Sequence, residues 1–284
     1  MLKISVPLTT ANIGPGFDAL ALALDAFNVY TFSSSKKMAL KGFPQAFSNE
    51  NNLVYQVYLD MHKKNNRPLF PVEINFSQGL PLCGGVGSSA TAIIAAIIAY
   101  KYFCNEKFTK IDLINEALNY EKHPDNIAAA VLGGLVSVYF TNNEQTEVNA
   151  TKLYIDPNWK VYLFIPNISL STEYARSILP QEIRLNDAIF NMQRAILIPN
   201  ALAHGDEEQL FNIMDDRLHE PYRLKLIPGA NLIKDYAKNN GYPCFLSGAG
   251  ASMAIITKRN LYQNFSGWEK RQYSIYNNGT LFTE

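Results

Sequence analysis

The sequence predicts an α+β fold, and three observations point there. Helical and strand-like segments mix without the regular alternation that a doubly wound parallel sheet requires. The 284 residues give room for one large domain or two lobes of about 140 residues each. Hydrophobic residues make up 48% of the chain, enough for a substantial core.

Taken in order, residues 1–6 alternate as a strand and lead to a tight irregular turn, Asn12-Ile13-Gly14-Pro15-Gly16-Phe17-Asp18. Strand character returns at 27–32 and at 72–76. Residues 90–99 are small and apolar on every side of a helix, so that helix should be buried. Thr109 with Asp112 three positions on makes a capping-box-like start, and Pro124 is expected to end that helix near Glu121. A helical turn at 127–132 closes at Gly133-Gly134, and a strand follows at 135–140. The most polar stretch, 141–147, reads as the passage between lobes and sets a division into residues 1–150 and 151–284. Beyond it the pattern gives a strand at 161–165 and a helix opening at Ser171-Thr172-Glu173. A long helix at 186–200 follows, then helices at 207–214 and 231–238. Strands at Phe245 and 253–256 are split by Ser247-Gly248-Ala249-Gly250.

Twenty-five basic and 25 acidic residues balance, so neither nucleic acid nor an anionic membrane is an expected partner. The longest apolar run, residues 90–100, is too short to cross a bilayer, and the opening residues lack a signal peptide's apolar core. Cys83, Cys104 and Cys244 are odd in number and far apart, which suits reduced thiols in a cytoplasmic protein.

Four polar clusters carry the chemistry. The most informative runs from Gly79 to Ala90, where Gly84-Gly85-Val86-Gly87-Ser88-Ser89 enters the apolar helix. Glycines let backbone approach an anion, and the helix aims free N–H groups and its positive dipole end at it. A P-loop is excluded because no lysine occurs between Lys64 and Lys101. A dinucleotide fingerprint lacks its strand–loop–helix context. By itself the loop fits either a phosphate site or a turn before a buried helix. In the second cluster, Asn12 and Asp18 flank Gly-Pro-Gly as hydrogen-bonding arms or as local caps. The third is Glu121-Lys122-His123-Pro124-Asp125-Asn126: Glu121 could hold magnesium, while Asp125 and Asn126 could equally cap the next helix. The fourth is a set of arginines, Arg176, Arg217 and Arg223, whose planar forks suit a carboxylate or phosphate, or simply a solvated helix face.

Together these motifs resemble the homoserine kinase family, a branch of the superfamily named for galactokinase, homoserine kinase, mevalonate kinase and phosphomevalonate kinase. The resemblance covers nearly the whole chain. It is carried by residues 81–90 and by the runs Asn12 to Asp18, His123-Pro124-Asp125-Asn126 and Glu220-Pro221-Tyr222-Arg223. Ser171-Thr172 through Arg176 and Leu246 to Gly250 fit as well. It implies a two-lobed fold, an N-terminal ATP-binding lobe and a C-terminal ferredoxin-like lobe, with the active site in the cleft between them. It further implies ATP-dependent phosphorylation of the L-homoserine hydroxyl in threonine biosynthesis, with magnesium, and a homodimer is expected.

By the same resemblance, Pro81, Leu82, Cys83, Gly84, Gly85, Val86, Gly87, Ser88 and Ser89 wrap the triphosphate, and Asn52 lies against the adenine. Ser89 and Glu121 serve magnesium. Arg176 and Arg223 hold the substrate carboxylate and Asp18 its ammonium. Asn126, with Asn12 and His123, positions the attacking hydroxyl. No strong base faces that hydroxyl in the motif set, which implies direct transfer without an obligate side-chain base, Asp18 being the contrary candidate. Departures from the family pattern are Gly84, Val86, Lys122 and Ala251-Ser252, and Lys122 puts a long cation beside the magnesium carboxylate. The competing readings are a sister kinase acting on another hydroxylated metabolite and a catalytically silent ligand sensor.

Overall fold

The computed structural model describes residues 1–77 and 84–284. Two long antiparallel strands open the chain, β1 (Leu2–Ala11) and β2 (Leu20–Ser34). Both outrun their sequence signal because residues 6–11 and 20–24 are buried on both faces, which erases the period-two alternation. A short β3 (Ala39–Lys41) and helix α1 (Leu53–Lys64) precede β4 (Val72–Ser77). Three helices follow: α2 (Ser88–Phe103), α3 (Lys110–Ala117) and α4 (Pro124–Leu132). The hairpin β5 (Leu135–Phe140) and β6 (Val148–Leu153) leads to β7 (Lys160–Pro166). Five helices come next: α5 (Thr172–Ser177), α6 (Leu185–Ala195), α7 (Ile198–His204), α8 (Glu207–Ile213) and α9 (Glu220–Arg223). After α10 (Ala230–Asn239) come β8 (Cys244–Leu246), β9 (Met253–Thr257), β10 (Trp268–Tyr273) and β11 (Leu281–Thr283).

The strands form two sheets. In the first the order is β11-β1-β2-β4-β3, and β2 forks: Leu20–Leu22 pair with β5 while Val29–Ser34 pair with β4. The second, β10-β7-β9-β8, is antiparallel throughout. Counted from β7, its order is fourth-first-third-second, that of a ferredoxin-like sheet. The segment 258–267, which joins β9 to β10, contains no helix.

Side-chain alternation sets the layers. Ile4, Val6, Ile74 and Phe76 pack with the fully buried isoleucines of α2 and the alanines of α4. At the register shift between Pro7 and Thr9 the alternation is interrupted, and Leu8, Leu22 and Leu24 face the other way, to meet Val161, Leu163 and Ile256 between the two sheets. Tyr162, Phe164 and Ile255 face the opposite side of the second sheet, under Ile233 and Ala237 of α10.

Several expectations need correction. Residues 141–147 form the turn of the β5–β6 hairpin within the first sheet, and the chain crosses to the second sheet at 154–159. The capping box at Thr109 and Asp112 is present, but α3 stops at Ala117; Pro124 begins α4 instead of ending α3, because a first-turn proline forfeits no helical hydrogen bond. The long helix at 186–200 is two, α6 and α7, broken ahead of Pro199, whose ring and missing N–H cannot continue a helix. Among the described residues no helix is long and apolar enough to cross a membrane.

Candidate active site

The sheets and helices place the predicted residues around one cleft of about 390 Å³. Asn12, Asp18, Asn52, Gly84 to Ser89, Glu121, His123, Asn126, Arg176 and Arg223 all line it. Pro81, Leu82 and Cys83 lie outside the described residues. Lys122 is exposed and off the cleft wall. Arg217 is also off the wall, paired with Asp187 at 3.1 Å and stacked over Phe190.

The glycine-rich loop is held from two directions. From β1, the Thr9 N–H donates to the Val86 carbonyl at 3.1 Å, and the Thr9 hydroxyl donates to Asn126 Oδ1 at 2.6 Å. From the second glycine-rich turn, Ser247 Oγ donates to the Gly85 carbonyl at 2.6 Å, and the Ser252 N–H to the Gly84 carbonyl at 3.3 Å. Gly87 caps α2 in a left-handed conformation, with φ +68°, directly against Thr9. At this end Ser88 Oγ is buried with no hydrogen-bond partner among the described residues, an unmet donor beside a positive helix terminus. An anion is the group that answers both.

Asn12 spends its amide on scaffold: Nδ2 donates to the Gly248 carbonyl at 2.8 Å and Oδ1 accepts the Asp18 N–H at 2.9 Å. Its side chain ties the Gly-Pro-Gly turn to the second glycine-rich turn. Asn52 is the N-cap of α1, its Oδ1 accepting from Val54 and Tyr55 and its Nδ2 donating to the Phe47 carbonyl at 2.7 Å. One amide hydrogen therefore remains for a ligand. Around it Tyr30, Phe43, Phe47 and Phe76 give this end of the cleft an aromatic lining, with Phe43 stacked on Phe76 at 4.7 Å.

At the other end the charges gather. Arg176, on α5, donates to Asp18 Oδ1 at 2.6 Å. Arg223, on α9, is 1% exposed; its Nε donates to the Ala175 carbonyl at 3.0 Å, and its Nη2 takes no partner among the described residues. Burial, then the charge of Arg176, pull its guanidinium down to about 10. Placing α9 takes a buried network. Asp216 accepts the N–H groups of Leu218, His219 and Glu220, while Glu220 accepts from the Leu246 N–H at 2.6 Å and pairs with Lys234 at 2.5 Å.

Glu121 Oε1 accepts from the His123 N–H at 3.1 Å and meets His123 Nδ1 at 2.8 Å. Its other oxygen has no hydrogen bond among the described residues. Among those residues no group of three or more His, Cys, Asp or Glu side chains could hold a metal alone. The oxygen donors of Glu121 and Ser89 suit magnesium, which would complete its shell with phosphate and water.

Asp125, whose local sequence also suits a helix cap, is a buried carboxylate of the cleft. It is 2% exposed, lines the cleft and receives both the N–H and Nδ2 of Asn126 on Oδ1. Burial, and next the charge of Asp18, raise its carboxyl from 3.8 to about 6, against the opposing pull of the Asn126 N–H. The folded protein thus keeps this proton to higher pH than the unfolded chain. Stability contributed here is present at low pH, falls as pH rises from about 4 to 6, and stays lost above. Asp125→Asn is expected to stabilise the ligand-free protein near neutral pH by about 1–3 kcal/mol and to flatten the pH 4–6 slope in thermal unfolding. An unchanged slope would count against the buried charge.

Comparison with known proteins agrees with the geometry. Residues 52–134 match the GHMP kinases N terminal domain and residues 198–265 the GHMP kinases C terminal domain. A homoserine kinase of Clostridium beijerinckii is 36% identical over 264 residues, covering 92% of this chain and 88% of the relative. The chain belongs to the homoserine kinase family. Another homoserine kinase, of Caldicellulosiruptor bescii, is 37% identical over 265 residues, covering 92% and 85%. The fold of the family recurs in the crystal structure of homoserine kinase from Cytophaga hutchinsonii, with a TM-score of 0.82 at 24% identity, covering 99% of this chain and 97% of that one. Phosphomevalonate kinase of Streptococcus pneumoniae shares the fold more distantly, with a TM-score of 0.70 at 13% identity, covering 97% and 99%.

Proposed function

We propose that the chain phosphorylates the side-chain hydroxyl of L-homoserine with ATP, giving O-phospho-L-homoserine for threonine biosynthesis. The observation that carries the substrate reading is the gathering of Arg176, Arg223, Asp18 and Asp125 around one cleft, where Arg176 is bonded to Asp18 and Arg223 has no carboxylate partner among the described residues. A zwitterion with a terminal hydroxyl needs two cationic forks for its carboxylate, an anion for its ammonium and neutral amides near its hydroxyl. Names of the family relatives fit that chemistry.

The loop from Gly84 to Ser89 and the amino end of α2 would cradle the triphosphate, with the base against the aromatic end near Asn52. Ser89 and Glu121 would hold magnesium, which neutralises charge on the phosphates when bound. His123, bonded to Glu121, fixes the direction of that carboxylate. Asn126, its Oδ1 pinned by Thr9, orients the attacking hydroxyl, and Asn12 keeps Asp18 in place. The hydroxyl oxygen forms a bond to the γ-phosphorus as the bridging bond to ADP breaks; the hydroxyl proton passes to phosphate oxygen or solvent. Asp18, engaged by Arg176, is not required as a base. The division into an ATP-binding lobe and a C-terminal lobe belongs to this proposal, with the boundary expected at 150 moved to the crossing at 154–159 so that β6 stays whole, as do a homodimer and a cytoplasmic location.

The test is magnesium-dependent ADP release with L-homoserine, D-homoserine, L-serine, mevalonate and galactose. Turnover confined to L-homoserine supports the reading; turnover with mevalonate or galactose overturns the substrate pocket, and ATP binding without turnover favours a sensor. Glu121→Gln is expected to raise the magnesium concentration needed for half-maximal rate by about tenfold, the loss of one charged oxygen ligand.

A further inference from the structure

We infer that Phe17 is a positioning residue for the paired arginines, holding Arg176 and Arg223 at the spacing a substrate carboxylate requires. The inference rests on the L-homoserine reading above. Two guanidinium groups on one wall repel each other, and the buried one lacks an acidic partner. Among the described residues Arg223 donates only to neutral acceptors: the Ala175 carbonyl at 3.0 Å, and, through Nη1, the Gly248 carbonyl and His219 Nδ1, each at 3.5 Å. Arg176 has Asp18 on Nη2, while its Nε is buried without a partner among the described residues.

What both arginines share is the ring of Phe17. Arg176 lies 5.2 Å and Arg223 5.1 Å from its centroid. The electron-rich ring face attracts a cation, and more strongly where water is excluded. The ring is itself anchored. His219 stacks on it at 4.8 Å with 20° between planes, and His219 is fully buried. With Nδ1 accepting from Arg223, its Nε2 carries the proton and donates to the Gly14 carbonyl at 3.3 Å. The Gly-Pro-Gly-Phe turn and the Glu-Pro-Tyr-Arg helix are thereby joined through one aromatic stack, which explains why a phenylalanine sits beside a substrate-binding Asp18. A leucine there would preserve apolar volume and lose the quadrupole.

The experiment compares the unaltered enzyme with Phe17→Leu and Phe17→Tyr, reading KM for L-homoserine, KM for ATP, kcat and inhibition by 3-amino-1-propanol, which is homoserine without its carboxylate. Phe17→Leu is expected to raise KM for L-homoserine about tenfold while KM for ATP, kcat and the inhibition constant of 3-amino-1-propanol stay within about twofold. Phe17→Tyr should restore KM. An unchanged KM, or an equal loss for L-homoserine and 3-amino-1-propanol, would overturn the role. Should Phe17→Leu fail to fold, stepwise fluorination of the Phe17 ring replaces it: KM rising with each fluorine supports the ring-face role, and a flat series overturns it. If the unaltered protein turns over ATP but not L-homoserine, the substrate reading fails first and takes this inference with it.

Discussion

Arg223→Ala is expected to lower kcat/KM for L-homoserine by about a thousandfold while leaving KM for ATP within twofold. The estimate follows from the cost of removing a buried charged hydrogen-bonding partner, about 2–5 kcal/mol. Arg223 is 1% exposed, and its Nη2 is the end without a partner among the described residues, so the lost interaction is expected to be with the ligand carboxylate. Arg223→Lys should recover little. An ammonium cannot hold the Ala175 carbonyl through Nε and the Gly248 carbonyl through Nη1 while offering a third donor in the same plane. Because the substitution also empties a buried site, a thermal midpoint must accompany the kinetics. Loss of ATP affinity in step with L-homoserine would show that the lobe, and not the carboxylate contact, had failed.

Gly85→Ala is the second large effect. Gly85 has φ +74°, a region that side chains rarely adopt, and an added Cβ would overlap the Ser247 carbonyl oxygen and come within 2.8 Å of the Gly250 carbonyl. Both obstacles are backbone of the second glycine-rich turn, itself bonded to β1 through Ser247 and Thr10 at 2.8 Å. The loop must move instead, carrying the amino end of α2 away from the phosphates. A displacement of about an ångström at a positioned reactive group costs about a hundredfold in rate, and left-handed strain adds about 1–3 kcal/mol against folding. Steady-state kinetics with ATP varied, together with nucleotide binding by calorimetry, check this. Wild-type ATP affinity in the variant would mean that the loop accommodates a methyl group and that the close approach is incidental.

The sequence pattern marked the cleft better than its walls. Glycine, proline and paired polar residues at Asn12 to Asp18, at Gly84 to Ser89 and at Glu121 to Asn126 break an apolar chain, and such breaks survive without knowledge of the fold. Helix α1 was hidden although Val54, Val57, Tyr58 and Met61 keep a helical stripe, because Lys63 to Asn66 and the loop before Asn52 blur its ends. With α1 went the aromatic end of the cleft, since Phe43 and Phe76 meet only when β3 and β4 pair. Asp125 could not be recognised either: a helix-capping aspartate and a buried site carboxylate have the same local sequence, and burial is a property of the assembled lobes. Asn52 shows the reverse, a residue singled out for a ligand that the fold also needs as an N-cap. The polar run 141–147 illustrates a third limit, since a hairpin turn and an interlobe passage demand the same residues.

The pairing of β11 with β1 has a consequence for self-association. Lys3 to Ser5 meet Leu281 to Thr283, so the strand that borders the first sheet here is synthesised after every strand of the second sheet. Until then β1 offers a row of unpaired N–H and C=O groups flanked by Leu2, Ile4 and Val6, an attractive template for strands of other molecules. The late strand therefore serves as a guard against aggregation, and fragments ending before residue 281 would carry that sticky border uncovered.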